Sequence, residues 1–258
     1  MVKKFGKWAY AGLIYVFMYL PIVLLIVYSF NDSRYRGNWE GFTLRWYTEL
    51  FRDRSIMDAL RNTLLIAIIS SFSATVLGTM AALGIYAMKP KVKNFMVNMT
   101  YLPVTYPEIV IGVSLLALFV GIGLPLGFWS IVLAHITFCV PFVVIAVLPK
   151  LYQLNPNLEE AAMDLGATPS QAFWKVILPE IMPGVLTGML LSFTLSLDDF
   201  LISFFTTGSG VNTLAIKIYS MTKVGVTPKI NALTTIIFVT ILALLLVLQA
   251  RDKKKVEK

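Results

Sequence analysis

Residues 155–184 read NPNLEEAAMDLGATPSQAFWKVILPEIMPG and form a long polar stretch between apolar segments that could each cross a bilayer. Asn155, with a proline after it, predicts the start of a short helix, because asparagine caps helices and proline is tolerated at the first helical position. Gly166 supplies the left-handed residue that ends such a helix. Thr168 and Gln171 form a capping box that starts a second helix at once. A helix–turn–helix of this length is more than a connection needs, and it predicts a docking surface.

The composition excludes an ordinary soluble domain. Of 258 residues, 57% are hydrophobic and 14% are charged, whereas soluble proteins carry about 25% charged residues. The apolar residues form runs that reach the ~20 residues a helix needs to cross the hydrocarbon core. We therefore expect an all-α polytopic membrane protein. The net charge of +8 lies mostly beside the apolar runs, which argues against nucleic acid as a partner.

Six apolar runs are predicted to span the membrane. Lysines cluster near the N-terminus, between the second and third runs and in the C-terminal tail, which places both termini in the cytoplasm. The segment 31–62 disagrees with this orientation, because it carries six arginines on the predicted outer side. The first run is too long for a signal peptide and is expected to be retained. The predicted spans are about 9–30, 63–88, 96–120, 128–149, 184–206 and 230–250.

The first outer loop and the second span carry local signals. Apolar and aromatic residues at helical spacing around Trp46 predict a short helix at the membrane surface. Trp46 is expected to be either an interfacial anchor or a group that faces the ligand. Asn62 is expected to cap the second span. The small residues Ser70, Ala74 and Gly78 on that span predict close packing against another helix.

The third span contains two prolines and a carboxylate. Pro103 and Pro107 are expected to interrupt its helix, and irregular backbone at membrane depth needs protein or water around it. If the helix starts near Met96 and runs straight, Glu108 lies ~18 Å along it, near the midplane. A carboxylate there costs on the order of 3 kcal/mol unless it is paired or hydrated. Glu108 is therefore predicted either to bind substrate or to have a structural partner.

The fourth span contains the one histidine and the one cysteine of the chain. His135 and Cys139 are four residues apart, a spacing that suits two metal ligands. Because no further histidine exists and no second cysteine could form a disulfide, neither a metal site nor a disulfide framework is expected. His135 is predicted to be a hydrogen-bonded packing residue.

The fifth span contains two adjacent carboxylates. Asp198 and Asp199 are each penalised in lipid and repel each other, so they need a basic protein partner or a cationic ligand. Because lysine and arginine occur only at the ends of the predicted spans, a cationic ligand is favoured. Ser196 shares a helical face with Asp199, and the aromatic rings of Tyr106 and Phe200 could add cation–π contacts. Separated ammoniums on a methylene chain match this pattern, which predicts a polyamine substrate.

The polar stretch resembles the cytoplasmic EAA loop of ABC importer permeases. Glu160-Ala161-Ala162, the glycine four residues later and Leu178-Pro179 stand at the spacing of that loop, with Val176 where isoleucine is commoner. The resemblance implies a type I ABC importer permease fold, in which one transmembrane domain covers 1–258. It implies a peripheral first span at 9–30, a five-helix core at 63–250 and a coupling helix–turn–helix at 155–180. The residues implied to couple to an ATPase are Glu160, Ala161, Ala162, Asp164 and Gly166.

Three C-terminal segments narrow the resemblance. Leu195–Phe200, Ile216–Met221 and Val226–Leu233 are similar to the C-type permease subunits of spermidine/putrescine importers. That family often has an acidic residue where Lys229 stands, so the resemblance implies no role for this position. The resemblance implies a bacterial cytoplasmic membrane location with lipid around the chain. It also implies a sister permease, two copies of an ATPase and an external polyamine-binding protein as partners.

The chain lacks the G-x-x-x-x-G-K-[ST] motif that binds nucleotide phosphates. It is therefore expected to be a transport subunit and not an enzyme, with no catalytic residue and no cofactor of its own, while ATP and Mg²⁺ bind to the partner ATPase. Three alternatives stay open. The substrate could be another small cationic or organic solute. The chain could be a cation-coupled secondary transporter, which leaves the EAA spacing unexplained. It could also be a structural membrane subunit, which leaves Asp198 and Asp199 unexplained.

Overall fold

The computed structural model describes residues 2–33, 38–225 and 227–256. All elements in these ranges, apart from one isolated β-bridge, are helical, as the composition predicts. A π-helical turn, Phe173–Ile177, connects the eighth and ninth α-helices. The α-helices are α1 (Val2–Tyr28), α2 (Arg45–Arg52), α3 (Arg54–Ala87), α4 (Pro90–Thr105), α5 (Glu108–Gly121), α6 (Phe128–Gln153), α7 (Leu158–Asp164), α8 (Pro169–Ala172), α9 (Leu178–Asp198), α10 (Leu201–Thr206), α11 (Leu214–Val224) and α12 (Pro228–Val256).

The chain forms two compact units. The first contains the residues up to Met57 together with those from Lys217 onward, and the second runs from Asp58 to Ile216. The predicted five-helix core at 63–250 stays a prediction, and the structure groups α12 with α1 and α2 in the first unit. The short helix predicted in the first loop is confirmed as α2, and its place at the membrane surface stays a prediction.

An ion pair connects the two chain segments of the first unit. Lys229, at the start of α12, lies 2.5 Å from the carboxylate of Asp53, and both side chains are about a quarter exposed. The hydrogen bond from Lys229 lowers the pKa of Asp53, against partial burial that raises it. Asp53 also accepts a hydrogen bond from the backbone N–H of Ser55, 3.1 Å away, at the first turn of α3. Lys229 therefore acts as a structural cation within the first unit.

The second span begins earlier than the sequence predicts. Because α3 starts at Arg54, Asn62 lies inside the helix, and the prediction that it caps the span is wrong. The Asn62 side chain instead donates to the carbonyl of Asn212 at 3.2 Å. Its neighbour Thr63 accepts a hydrogen bond from the backbone N–H of Leu214 at 2.7 Å. Asn62 and Thr63 therefore connect α3 to the segment at the start of α11.

The second unit is built around α6. Among the candidate membrane spans in the described residues, α6 is the most buried, because 61% of its apolar 18-residue segment lies inside the protein. Gly184, Gly188, Ser192 and Ser196 recur every four residues on α9 and are all buried. A Cβ atom on Gly188 would lie 3.1 Å from the Val143 backbone of α6. Small residues at this spacing let the two helix backbones approach closely, as in other membrane helix pairs.

Four helices in the described part of the chain are long and apolar enough to cross a membrane, and α4 with α5 makes a fifth if that bent pair is one span. They match the first five predicted spans, with shifted ends. The fifth differs most, because its helix runs from Pro169 to Asp198 instead of starting at Gly184. The predicted sixth span lies on α12, and its side chains from residue 244 onward lie outside the described residues.

The third span is broken, as predicted, but only one of its prolines breaks it. Pro103 lies inside α4, whereas α4 ends at Thr105 and Pro107 precedes α5. The two helices are bent by 101°. Pro107 cannot donate a backbone hydrogen bond, and it disfavours helical backbone at the residue before it. The depth predicted for Glu108 assumed a straight helix, and the bend removes that assumption.

The backbone of α3 packs so closely against α6 at one glycine that a larger side chain does not fit there without a shift. A Cβ atom on Gly78 would lie 2.5 Å from the Val143 Cβ, whereas Gly84 on the same helix has open space. We expect Gly78→Ala to lower the unfolding temperature in detergent, because overpacking costs about 1–3 kcal/mol. Gly84→Ala is the matched control and should be neutral or stabilising, by up to about 1 kcal/mol of helix propensity. Equal shifts for the two variants would contradict this packing.

The ion pair between Asp53 and Lys229 predicts a pH-dependent stability difference. Because the pKa of Asp53 is lowered by folding, the pair stabilises fully above the ordinary carboxyl pKa and less as the pH falls through the lowered value. Lys229→Gln should therefore lower the unfolding temperature at pH 7, by a contribution on the order of 1 kcal/mol or less. The difference from wild type should shrink below about pH 4. Lys223→Gln serves as the charge-matched control, and a difference that does not change with pH would exclude the pair as its cause.

Candidate functional site

The predicted fifth span is interrupted at its two aspartates. Asp198 is the last residue of α9, and Asp199 has extended backbone with φ −60° and ψ 128°. The chain then restarts as α10 at Leu201. The Asp199 carboxylate folds back over the start of α10, where it accepts hydrogen bonds from the backbone N–H groups of Ile202 at 3.2 Å and Ser203 at 2.7 Å. Asp199 therefore caps α10 in the way that aspartate caps helix N-termini.

His135 of α6 contacts residues on both sides of this break. Its Nε2 is 3.3 Å from the Asp199 carboxylate and 3.0 Å from the Ser203 hydroxyl. Its Nδ1 is 2.6 Å from the Ser196 hydroxyl. The His135 side chain is 1% exposed and that of Asp199 is 2% exposed. The four polar side chains form a closed buried network that joins α6, α9 and α10.

This network corrects one step of the sequence argument. The expectation that Asp199 lacks a basic partner inside the membrane considered only lysine and arginine, and His135 supplies that partner. The predicted role of His135 in packing agrees with its burial. The sequence argument did not identify Ser203 or the pairing of His135 with Asp199. Because these residues are 61 to 68 positions apart from His135 along the chain, the only available signal was a lone histidine within an apolar run.

The two aspartates differ in exposure. Asp198 is exposed, whereas Asp199 is 8% exposed. Glu108, at the first turn of α5, is also exposed, and it lies within electrostatic range of both aspartates. Tyr106, in the break before α5, is 53% exposed. Glu108, Tyr106 and Asp198 thus lie at breaks in the third and fifth spans, and their side chains are exposed.

Two predicted path residues have partners within the chain. Ser196 is 3% exposed and bonds to His135. Phe200 is half-buried, and its ring packs 5.5 Å from that of Phe204.

Trp46 belongs to the first unit and is 6% exposed. Its indole N–H donates to the carbonyl of Asn31 at 2.8 Å, and the guanidinium of Arg45 lies 4.4 Å above its ring. These contacts describe an anchoring residue, and a role for Trp46 towards a ligand stays a prediction.

The polar stretch folds largely as its local signals predict. Gly166 has φ +90° and ends α7, and the N–H of Ala167 donates to the carbonyl of Ala162 at 3.1 Å, a closure typical of glycine-terminated helices. Thr168 and Gln171 exchange both bonds of the predicted capping box. The cap at Asn155 is wrong, because α7 starts at Leu158 and the Asn155 side chain accepts from Asn157 in a preceding turn.

Most of the residues predicted to couple to an ATPase lie on the surface of this stretch. Glu160, Ala161 and Asp164 are exposed, whereas Ala162 is 8% exposed. Leu165 and Trp174 next to them are 90% and 64% exposed. Large apolar side chains this exposed are typical of a protein interaction surface.

A proline explains the π-helical turn after α8. The backbone N–H of Leu178 donates to the carbonyl of Phe173, five residues earlier. Pro179 has no N–H and its ring clashes with the carbonyl four residues before it, which a local π-turn relieves. The helix continues through this turn, so that one 30-residue helix runs from Pro169 to Asp198.

Among the described residues, no group of three or more histidine, cysteine or acidic side chains could hold a metal ion. Cys139 is buried, and its thiol lies 3.5 Å from the Ser192 carbonyl. The cysteine therefore packs in the contact between α6 and α9.

Residues 74–256 match the family described as "Binding-protein-dependent transport system inner membrane component". The chain belongs to this permease family. It is 43% identical to the spermidine/putrescine transport system permease protein PotC of Escherichia coli K12, over 99% of this chain and 97% of that protein. It is 42% identical to the putrescine transport system permease protein PotI of the same strain, over 86% of this chain and 82% of that protein.

The solved structures agree at the level of fold. A chain of a bacterial ABC transporter that imports the acidic polysaccharide alginate superimposes with a TM-score of 0.71, at 16% identity, over 98% of this chain and 96% of that chain. At this identity the likeness concerns the fold alone. The chain therefore has the fold of an ABC importer permease, as the EAA spacing predicts.

Proposed function

We propose that this chain is the permease subunit of an ATP-driven polyamine importer in a bacterial cytoplasmic membrane. The observation that carries the proposal is the exposed pair of carboxylates, Glu108 and Asp198, at breaks in two neighbouring spans. Two carboxylates held apart match the separated ammoniums of putrescine or spermidine, because each ammonium can form a charge-assisted hydrogen bond. The substrates in the names of the two relatives support the same class of substrate.

The predicted path consists of these two carboxylates with nearby aromatic and hydroxyl groups. Tyr106 is exposed next to Glu108, where its ring can cover the methylene stem or an ammonium of the substrate. Phe200 follows the aspartates directly. Ser196 and Asp199 would support the path from the buried network that they form with His135, and a role for Trp46 towards the substrate stays a prediction.

Energy reaches the chain from outside. We propose that two ATPase subunits, which carry ATP and Mg²⁺, dock on the surface formed by Glu160, Ala161, Ala162, Asp164 and Gly166. A sister permease would complete the path, and an external binding protein would deliver the polyamine. The chain itself would then be a transport subunit without nucleotide or another cofactor of its own.

One continuous helix connects the docking surface with the path. It starts at Pro169, directly after the coupling residues, and ends at Asp198. A helix of this length extends ~45 Å. Movement of the ATPase surface would therefore shift the carboxylate end of the helix as one body, and this favours alternating access by rigid-body motion.

The substrate is tested by uptake of labelled spermidine into proteoliposomes that contain the assembled importer. We expect uptake that requires ATP and the binding protein, and that excess unlabelled spermidine or putrescine competes out. Free lysine should not compete, because the proposed path offers no partner for its carboxylate. Choline should not compete either, because it carries a single positive charge and cannot pair with both carboxylates. Uptake without ATP or ATPase would favour a secondary transporter, and a non-polyamine competitor that outcompetes spermidine would discard the substrate class.

The coupling role is tested in the same assay by reversing one charge. Glu160→Lys should reduce uptake at least ~10-fold at an unchanged permease level, because a like charge at a docking surface costs several kcal/mol. Glu159→Lys is the matched control on the same exposed turn of α7 and should have a smaller effect. Wild-type uptake by the Glu160 variant would refute the docking surface.

A further inference from the structure

The buried network around His135 is not needed to bind an external cation. Asp199 already has three close partners inside the chain: the backbone N–H groups of Ile202 and Ser203 donate to its carboxylate, and the imidazole Nε2 of His135 lies 3.3 Å away. Its side chain is 2% exposed. A carboxylate satisfied in this way has little capacity left for a substrate ammonium. Asp198, one residue earlier, is exposed and carries none of these bonds.

The network joins three helices at the point where the fifth span breaks. His135 belongs to α6, Ser196 lies in the last turn of α9, and Ser203 lies in the first turn of α10. Removing the imidazole would leave buried oxygen atoms without a partner, a loss that the protein cannot recover from water. The buried oxygen atoms could find new partners only if the backbone at the break rearranged. Such a rearrangement would move Asp198.

We infer that His135 is a positioning residue for the cation path: together with Asp199 it clamps the break between α9 and α10 and so holds Asp198 towards the substrate. This inference rests on the proposed function. It assigns different tasks to the two adjacent aspartates. Asp199 holds the backbone, and Asp198 binds the cation with Glu108.

The clamp also solves an electrostatic problem. Two ionised carboxylates on consecutive residues repel each other, and the repulsion grows as water is removed. The imidazole and two backbone N–H dipoles compensate the charge of Asp199 from within the chain. The charge of Asp198 is then left for the substrate.

The first test measures which aspartate position is open, by single cysteines in a Cys139→Ala background. The assembled importer carrying Asp198→Cys or Asp199→Cys is treated with the cationic reagent MTS-ethyltrimethylammonium. We expect Asp198→Cys to react at least ~10-fold faster, because thiol reactivity follows exposure. Equal rates, or a faster reaction at position 199, would overturn the assignment.

Protection by substrate separates this inference from the proposed function. Spermidine supplied with the binding protein should slow the reaction of a third variant, Tyr106→Cys, which is exposed beside Glu108 and keeps both carboxylates. If the rate difference between positions 198 and 199 persists but spermidine gives no protection, the assignment of the two aspartates stands and the polyamine proposal fails. If the rate difference is absent, the assignment fails whatever the substrate is.

The second test replaces His135 and measures uptake per assembled complex, with ATPase co-purification as the measure of assembly. His135→Leu removes both ring nitrogens and should lower uptake ~10-fold, whereas His135→Gln keeps an N–H that can reach Asp199 and should stay within ~3-fold of wild type. His135→Leu should also change the reaction rate of Asp198→Cys, and His135→Gln should not. A purely structural role would reduce the amount of complex but leave both quantities unchanged per complex, and that result would overturn the inference.

Double mutants test whether His135 and Asp199 act together. His135→Leu combined with Asp199→Asn should lose no more uptake than the worse single variant, because both remove the same clamp. His135→Leu combined with Asp198→Asn should lose approximately the product of the two single losses if the effects are independent. The opposite pattern, with multiplicative losses for 135 and 199, would contradict a shared clamp.

Discussion

The close contact between His135 and Asp199, with 3.3 Å between Nε2 and the carboxylate, is the contact on which the polar centre of the second unit depends. A carboxylate within a membrane-spanning segment is stable only with partners, and here the partners come from a neighbouring helix and from the backbone of the next one. These bonds let the fifth span stop and restart within a few residues. The free backbone groups at the break are thereby used, as any irregular backbone at membrane depth requires.

The same break leaves a second carboxylate exposed. Asp198 ends a helix that begins beside the proposed docking surface, so one element would connect the part of the chain proposed to contact the ATPase with the part proposed to meet the cation. The glycine and serine stripe of that helix packs against α6. Close backbone contact makes the pair of helices stiff, because interiors packed at this density transmit displacement instead of absorbing it.

Much of this architecture could be predicted from local sequence. Apolar runs of sufficient length identified the first five spans, and the capping box and Gly166 determined the bend of the coupling loop. Signals of this kind act over three or four residues and need no knowledge of the rest of the chain. The break of the third span was also visible, although two prolines were candidates and only Pro107 ends a helix.

The parts that failed depend on contacts between distant residues. Asn62 has the side chain of a cap, but the helix begins eight residues earlier at Arg54, after Asp53, whose carboxylate bonds to the first turn of α3 and to Lys229. The pairing of His135 with Asp199 could not be derived either, since nothing in one sequence reports which face of α6 meets the end of α9. The predicted start of the fifth span at Gly184 was wrong for another reason. The helix begins at Pro169, and its first residues precede the apolar part on which the prediction rested.

The most direct test of this account is a cryo-electron microscopy map of the assembled importer, trapped with a non-hydrolysable ATP analogue in the presence of spermidine. The account predicts elongated density beside Asp198 and Glu108, with Asp199 still bonded to His135 at the break between α9 and α10. Density that contacts Asp199 after it has left His135, or a cation path that bypasses both exposed carboxylates, would contradict it.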